Sequence, residues 1–267
     1  MLWQRVATAL VLVGLLAVVL LWLPPALALA AMAVLVLAGA WEWAAFARLT
    51  GAAARLAYVL AVGAAMAGLS LAAEGPGWPV GILSLVAAWW VVALLWLSYA
   101  PGRGSPALAA LAGVLVLAPL WLGLSRLYGS GGQGYQLVIF VLLLAAAADV
   151  GAFFAGKRFG RRKLAPRVSP NKTWEGFFGG LAAAAAVALA GDAWFDMPLA
   201  AFLGVSLAAV LASVVGDLTE SMFKRQAGLK DSGHLLPGHG GVLDRVDSLS
   251  AAVPVFTLGV ALLGLAA

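Results

Sequence analysis

The stretch LWLPPALALAAMAVLVLAGAWEW, residues 21–43, decides the fold class of this chain. Beyond its proline pair it is almost wholly apolar and has about the 20 residues that a helix needs to cross a bilayer. The apolar run before it follows Arg5 and so resembles a secretory signal, yet hydrophobicity continues into residues 21–43 without a break. We therefore interpret the first run as a retained membrane anchor.

The composition extends this interpretation to the whole chain. Only 10% of its 267 residues are charged, against about 25% in a typical soluble domain, and the mean hydropathy is +1.04. Apolar runs recur throughout and do not alternate as the strands of a membrane barrel would. The predicted fold class is all-α, a polytopic integral membrane protein. The lack of cysteine excludes a disulfide framework, a thiolate nucleophile and a cysteine-based metal site.

Proline, glycine and charged residues divide the chain into about nine predicted transmembrane spans. These spans lie near residues 4–22, 26–47, 53–73, 79–99, 106–125, 135–156, 174–191, 197–220 and 249–266. We treat 1–267 as a single membrane domain, with N-terminal helices in 1–130 and catalytic helices and loops in 131–267. Two long loops, 157–173 and 221–248, contain most of its polar chemistry.

The basic residues indicate the orientation. With nine spans, every lysine and arginine except Arg126 falls on the same side of the membrane. The positive-inside rule makes that side cytoplasmic. We therefore predict a cytoplasmic N-terminus, an external C-terminus, and both long loops in the cytoplasm.

Several carboxylates lie inside or beside apolar spans, where an ionisable group is costly and marks a candidate functional site. A further one lies within the last long loop. The set is Asp149, Asp217, Glu220, Asp231, Asp244 and Asp247. Two pairs among them have i, i+3 spacing, which puts both members of a pair on one helix face.

Clustered carboxylates without cysteine suit a hard cation such as Mg²⁺, which prefers oxygen ligands and leaves positions for substrate phosphates. Cations stand beside them in the chain: Lys224, Arg225, Lys230 and Arg245. Phosphoryl or nucleotidyl transfer requires such a combination, because negative charge spreads over phosphate oxygens in the transition state. The glycine-rich turn 236–241 around His239 is a weaker phosphate-binding signal. No Walker A pattern occurs, so a P-loop NTPase is unsupported.

Two further positions bear on the site. Ser169 and Pro170 predict a helix N-cap and first turn, with Thr173 as the alternative cap. Either cap places Lys172 at a helix N-terminus, where the dipole favours anions. Glu42 is interpreted as a group hydrogen-bonded to a neighbouring helix, in preference to a functional carboxylate.

From the residues alone we predict a cytoplasm-facing, metal-dependent phosphate site. Transport is an alternative function that the residues leave open, although a transporter would more often show broken helices and paired repeats.

Residues 221–247, SMFKRQAGLKDSGHLLPGHGGVLDRVD, resemble the signature of phosphatidate cytidylyltransferases (CDP-diacylglycerol synthases), and we call them the signature segment. The shared pattern is Ser-x-x-Lys-Arg, then Lys-Asp, Pro-x-His-Gly-Gly and Asp-Arg-x-Asp. DVGAFFAGKRFGRRK and SPNKTWEG resemble upstream motifs of the family, with Asn171 where lysine is often found. The resemblance is dense over 149–247 and looser over the first 130 residues.

The resemblance implies that CTP and phosphatidate react to give CDP-diacylglycerol and pyrophosphate, in phospholipid biosynthesis. It also implies Mg²⁺, with K⁺ as a second cation associated with the metal centre, and a homodimer that binds no nucleic acid. The protein would be a multi-pass protein of the cell inner (plasma) membrane, with its active site facing the cytoplasm.

On this resemblance we assign roles to residues of this chain. The expected metal ligands are Asp217 and Asp244, supported by Asp231 and Asp247. The expected catalytic contacts are Lys224, Arg225, Lys230, Asp231, His239 and Arg245. The expected substrate-binding residues are Ser169, Lys172, Ser221, Gly238, Gly240 and Gly241. Asp149 and Glu220 are expected to support the ligands from behind.

Two alternatives stay open. One is another CTP-using membrane lipid enzyme, such as a polyprenol kinase, which would release CDP instead of pyrophosphate. The other is a non-enzymatic lipid or ion transporter, which would move its substrate without consuming CTP.

Overall fold

A computed structural model describes residues 11, 14–75, 77–195, 197–233, 235 and 240–264. Its first described helix is 14–21, which we call α1. The elements that follow are α2 (Pro25–Trp43), α3 (Ala52–Ala72), α4 (Trp78–Tyr99), α5 (Pro106–Tyr128), α6 (Gly134–Phe159), β1 (Lys163–Ala165), β2 (Ser169–Thr173), α7 (Trp174–Gly191), α8 (Leu199–Gln226), α9 (Leu243–Val246) and α10 (Leu249–Leu262).

Local signals in the sequence set the ends of several helices. Pro25 and Pro106 occupy the first turns of α2 and α5, where a missing N–H leaves no helical hydrogen bond unmade. The Ser105 hydroxyl caps α5 by accepting the Leu108 amide at 3.2 Å. Lys157 and Arg158 lie in the last turn of α6, where cations are favourable to the helix dipole.

Eight helical segments in the described part of the chain are long and apolar enough to cross a membrane. Large apolar side chains such as Leu60, Leu85 and Phe154 remain exposed on them, as contact with lipid requires. The predicted all-α multi-pass membrane protein is therefore confirmed. The count of nine spans and the orientation of the termini stay predictions, because residues 1–10, 12 and 13 lie outside the described residues.

Contacts between loops show which segments lie at the same end of the helical bundle. Arg48, after α2, donates to the Gln226 carbonyl at the end of α8, and the Gln226 side chain donates to the Pro101 carbonyl between α4 and α5. These three segments were all predicted on the cytoplasmic side, and the structure places them together. Arg126, the predicted exception, donates instead to the Ala73 carbonyl at the end of α3.

Buried polar side chains tie the N-terminal helices to α5. The Trp43 indole donates to the Ala109 carbonyl at 2.7 Å, and the Tyr58 hydroxyl donates to the Ala110 carbonyl at 2.9 Å. A buried donor without a partner is costly away from water, so these bonds fix α2 and α3 against α5. These helices share one hydrophobic core with the signature segment, since Trp43 and Tyr58 belong to the same buried cluster as Phe223 and Leu243.

Arg126→Ala is expected to leave turnover unchanged within about twofold while lowering stability by about 1 kcal/mol, the value of one partly exposed hydrogen bond. Its guanidinium donates to the Ala73 carbonyl, at the end of the bundle opposite the signature segment. Activity and thermal unfolding in detergent check both expectations. Arg225→Ala is the matched control, because Arg225 also donates to backbone carbonyls, those of Val168 and Leu229, but at the signature end. A large loss of turnover in Arg126→Ala alone would contradict the predicted topology.

Candidate active site

Helix α8 supplies part of the candidate site, and it is longer than predicted. The predicted loop 221–248 is wrong in its first part, since α8 continues to Gln226 and places Ser221, Lys224 and Arg225 on a helix. Hydropathy falls at Glu220 because the helix leaves the apolar region there. Its hydrogen bonding continues, helped by cations in the last turn.

A cavity of about 550 Å³ opens beside α8, between α6, α7 and β2. Its polar lining includes Asp149, Ser169, Asn171, Lys172 and Asp217. The Lys172 ammonium and the Asp217 carboxylate form an ion pair on its wall. The Ser221 hydroxyl lies 3.4 Å from the other Asp217 oxygen and donates to it. The structure thus brings together four residues from three separate parts of the sequence: Asp149, the pair Ser169 and Lys172, and Asp217.

A short antiparallel hairpin delivers Lys172 to this cavity. In its register Lys163 pairs with Thr173 and Ala165 with Ser169. The hairpin departs from the prediction, which had an all-α fold and a loop at 157–173. The N-cap predicted at Ser169 is wrong, because that residue lies in β2. The alternative cap is confirmed, since the Thr173 hydroxyl accepts the Gly176 amide at 3.1 Å. Lys172 therefore lies just before the N-terminus of α7, as predicted.

Helices α6 and α7, which form two walls of the cavity, approach each other unusually closely. At Gly179 of α7, an added Cβ would lie only 2.2 Å from the Ala155 Cβ of α6. Small residues at such contacts let helices pack closely within a membrane. This contact sets the spacing between the helix that carries Asp149 and the helix that follows Lys172.

The signature segment forms a second polar cluster around Asp244. Its carboxylate accepts the Lys224 ammonium at 2.8 Å, the Gly241 amide at 2.9 Å and the Ser232 amide at 3.1 Å. Gly240 packs beside the same carboxylate, because a Cβ there would lie 2.8 Å from Asp244 Oδ2. Asp244 therefore organises the loop that precedes it.

Lys224 balances two carboxylates at once. Its ammonium lies 3.1 Å from Glu220 Oε1 as well as 2.8 Å from Asp244 Oδ1. The contact with Glu220 is an ion pair outside hydrogen-bond geometry, and neither Glu220 oxygen accepts a hydrogen bond from the described residues. Glu220 is only 2% exposed, so Lys224 is the principal compensation for a buried negative charge.

The remaining predicted residues differ in exposure, and the Asp247 carboxylate lies close enough to Asp217 and Glu220 for their charges to interact. Arg225, Lys230, Asp231 and Arg245 are exposed. The Asp247 carboxylate accepts the Ser248 amide at 2.8 Å. Gly238 and His239 lie outside the described residues.

Glu42 is the residue whose connection to the site the sequence reasoning missed. The prediction that it is hydrogen-bonded to a neighbouring helix is confirmed at the start of α9, where its carboxylate accepts the amides of Val242 and Leu243, at 3.1 and 2.8 Å, in the signature segment. It also accepts the Ser232 hydroxyl at 3.1 Å. The available signal was a lone carboxylate in an apolar helix, which demands partners from elsewhere in the chain.

A second cavity, of about 430 Å³, is mainly apolar and lies between α2, α5, α6 and the start of α10. Leu142 and Ala146 belong to its apolar lining, while Asp149 and Arg245 are among its polar residues. Asp149 lines both cavities, so the two spaces adjoin at this residue. We call the first the polar cavity after the Lys172–Asp217 ion pair on its wall.

The carboxylates of the site offer oxygen ligands, the kind that Mg²⁺ prefers. In the described part of the chain, no three His, Asp or Glu side chains converge into a metal cage. Asp217 and Asp244 belong to two separate ion pairs, with Lys172 and Lys224. Mg²⁺ commonly takes only one or two protein carboxylates together with substrate phosphates. The chemistry of the donor set fits Mg²⁺, with part of its coordination left to a ligand.

A helical membrane bundle that gathers lysine–carboxylate pairs beside a small-molecule-sized cavity defines a membrane protein suited to an anionic ligand. A profile of the cytidylyltransferase family matches residues 3–263, and the chain belongs to that family.

Similar proteins agree with this assignment. A Pseudomonas aeruginosa protein named phosphatidate cytidylyltransferase is 46% identical over 264 residues, covering 96% of each chain. A Haemophilus influenzae protein of the same name is 41% identical over 289 residues, covering 96% of this chain and 98% of its own. A third with that name, from Brucella suis, is 46% identical over 168 residues, covering 62% of this chain and 60% of its own.

Proposed function

We propose that this chain transfers a cytidylyl group from CTP to phosphatidate, giving CDP-diacylglycerol and pyrophosphate in phospholipid biosynthesis. Membership of the cytidylyltransferase family over residues 3–263 supports the use of CTP, and the names of the full-length relatives support the lipid acceptor. The observation that carries the proposal is the Lys172–Asp217 pair on the wall of a 550 Å³ cavity. That volume lies within the range of about 300–1,000 Å³ usual for small-molecule sites.

The reaction needs no protein nucleophile. A phosphate oxygen of phosphatidate forms a bond to the α-phosphorus of CTP, while the bond from that phosphorus to the bridging oxygen of pyrophosphate breaks. The protein contributes position and charge neutralisation. Lys172, next to the polar cavity, and the exposed Arg225, Lys230 and Arg245 supply positive charge to the phosphate groups. Lys224 holds Asp244 and Glu220 in place.

Mg²⁺ is the metal that we propose for this reaction, and a second cation, K⁺, is part of the same proposal. Asp217 and Asp244 would hold the metal, with Asp231 and Asp247 in support. When bound, a divalent ion stabilises charge that develops on phosphate oxygens. The pairing of Asp217 and Asp244 with lysines supports this role, because both carboxylates already have a cation as a partner in the folded chain.

The apolar cavity is suited to an acyl chain of the lipid substrate. Along α6 it extends from Val138 to Asp149, a distance of roughly 16 Å at 1.5 Å per helical residue. Asp149 and Arg245 lie among its lining residues. A lipid phosphate near Arg245 would therefore have its acyl chain in the apolar space and its headgroup next to the polar cavity.

Ala146→Phe is expected to raise the KM for phosphatidate about tenfold or more, because the added ring would fill apolar space lined by Ala146. The KM for CTP should change less than twofold by the same reasoning. Steady-state kinetics in mixed micelles measure both constants. Ala182→Phe is the matched control, since Ala182 is an exposed alanine on α7 that lines neither cavity. Equal effects of the two substitutions on phosphatidate would contradict an acyl-chain site.

The membrane, orientation and assembly are part of the proposal. We place the protein in the cell inner (plasma) membrane as a homodimer, with the active site facing the cytoplasm. The grouping of Arg48, Pro101 and Gln226 at one end of the bundle supports this orientation, because that end carries nearly all of the cations. CTP then reaches the site from the cytoplasm and phosphatidate from the bilayer.

The experiment uses detergent-purified protein with Mg²⁺, phosphatidate and CTP labelled at the α-phosphate. We expect label to enter the lipid phase together with an equal amount of pyrophosphate. Release of CDP without labelled lipid would instead indicate a kinase. Intact CTP in protein shown to be folded would contradict both enzymatic functions and leave the transporter.

A further inference from the structure

Glu42, near the end of α2, makes the longest-range polar contacts of the signature segment. It lies 200 residues before Val242 in the chain and is 3% exposed. One carboxylate oxygen accepts the Val242 amide, and the other accepts the Leu243 amide and the Ser232 hydroxyl. Three donors around a buried carboxylate compensate for its removal from water.

These donors belong to both ends of one loop. Ser232 stands at its start, and Val242 and Leu243 stand at its end, where α9 begins. Amides at a helix start have no partner within the helix, so an acceptor from another helix satisfies them. Glu42, which belongs to a different helix, therefore links Ser232 to Val242 and Leu243 through hydrogen bonds.

Asp244, which lies within the signature segment, makes a second link between the two ends of this loop. Its carboxylate accepts the amides of Ser232 and Gly241. Ser232 thus bonds to both carboxylates, through its amide to Asp244 and through its hydroxyl to Glu42. The position of the Asp244 carboxylate consequently depends on where Glu42 holds the backbone of Leu243, its immediate neighbour.

At Gly233 and Gly241 the backbone passes very close to the Glu42 side chain. A Cβ at Gly241 would lie 2.4 Å from Glu42 Oε2 and 2.1 Å from the Ser232 hydroxyl. A Cβ at Gly233 would lie 2.4 Å from Glu42 Oε1. Two glycines are needed at these positions because the backbone passes directly against the carboxylate.

We propose that Glu42 is a positioning residue for the cytidylyltransfer site: it fixes the backbone at Val242–Leu243 and thereby the Asp244 carboxylate. The catalytic part of this inference rests on the proposed function. The positional part does not, because it concerns hydrogen bonds within the chain. Glu42 contacts the loop and not the substrate, so it acts on catalysis through Asp244.

Glu42→Gln tests the proposal with the least change of volume. A glutamine side chain has one oxygen and an NH₂ group, and the NH₂ would face a donor. Amide hydrogen exchange, measured by mass spectrometry on the full-length protein in detergent, should rise about tenfold or more in peptides covering 240–246. Peptides from the membrane part of α8 should be unchanged.

Catalytic measurements on the same variant extend the test. Turnover should fall about 10- to 100-fold, and the Mg²⁺ concentration for half-maximal rate should rise, because Asp244 is displaced. The KM for phosphatidate should change little. A purely structural loss of folded protein would lower the amount of active enzyme without shifting the Mg²⁺ dependence.

Two further variants keep the test decisive. Glu74→Gln is the matched control, since it removes an exposed carboxylate at the end of α3, and it should alter neither measurement. Gly241→Ala crowds the same contact without removing a charge, and it should reproduce the exchange and Mg²⁺ effects if Glu42→Gln fails to fold. Unchanged exchange at 240–246 in folded Glu42→Gln would overturn the proposal. If the wild type makes no CDP-diacylglycerol, the proposed function fails while the exchange result still decides the positional claim.

Discussion

Asp217→Asn is expected to lower turnover by at least about 100-fold, the usual effect of removing one electrostatic group from a preorganised site. The carboxylate faces the polar cavity and pairs with Lys172. An amide has nearly the same shape but neither neutralises Lys172 nor binds Mg²⁺ comparably. Label transfer from CTP to lipid, at saturating substrates, measures the effect.

The fold should survive this change. The side chains of Asp217 and Lys172 are 21% and 29% exposed, and partly exposed ion pairs contribute only about 0–1 kcal/mol to stability. Thermal unfolding should therefore match the wild type. Glu74→Gln, which also neutralises one carboxylate, is the control and should retain full activity. Near-normal turnover in Asp217→Asn would remove this residue from the metal site.

Asp244→Asn serves as the companion variant and separates the two polar clusters. It should also lose turnover, but with faster amide exchange at Ser232 and Gly241, whose amides its carboxylate accepts. Within the described part of the chain, the hydrogen bonds to Asp217 come from the side chains of Lys172 and Ser221, so Asp217→Asn should leave that amide exchange unchanged.

Lys224→Met is expected to cause the largest loss of stability, about 3–5 kcal/mol, the cost of leaving buried charges without their partner. Its ammonium lies within 3.1 Å of Glu220 and 2.8 Å of Asp244, and the side chains of these carboxylates are 2% and 11% exposed. Methionine keeps most of the volume and removes the charge. Thermal and denaturant unfolding in detergent measure the change.

A second substitution shows whether charge is the cause. Lys224→Met combined with Glu220→Gln should recover part of the lost stability, because one of the two unpaired carboxylates is gone. Lys230→Met is the matched control for stability, since Lys230 is exposed, and it should stay within about 0.5 kcal/mol of the wild type. If Lys224→Met were equally stable, the ion pairs around it would not contribute to the fold.

Hydropathy predicted the membrane helices well but not their polar ends. Runs of apolar residues report where a helix meets lipid, and this signal stops at Glu220 although α8 continues to Gln226. The hairpin of β1 and β2 was missed for a related reason. Its three and five residues are too short and too polar for an alternating pattern to stand out.

The candidate site was predicted as a set of residues, and its division into clusters was not. Spacing in the sequence identified Asp217 and Asp244, but only the fold shows that one pairs with Lys172 and the other with Lys224. Glu42 lies outside any local motif, since its partners are 190 to 201 residues away. Contacts over such a distance depend on helix packing, which periodicity does not encode.

The hydrogen bond between Glu42 and Val242 can form only after 200 further residues have been synthesised beyond Glu42. At about 5–20 residues per second, a ribosome takes roughly 10–40 s to travel from residue 42 to residue 242. Throughout that interval the Glu42 carboxylate lacks the hydrogen bonds that the Val242 and Leu243 amides donate to it in the folded chain. Residues 131–267 contain the whole signature segment, yet synthesised alone they would lack the acceptor that closes its loop. The Glu42 carboxylate therefore gains these hydrogen bonds only after Val242 and Leu243 have been synthesised.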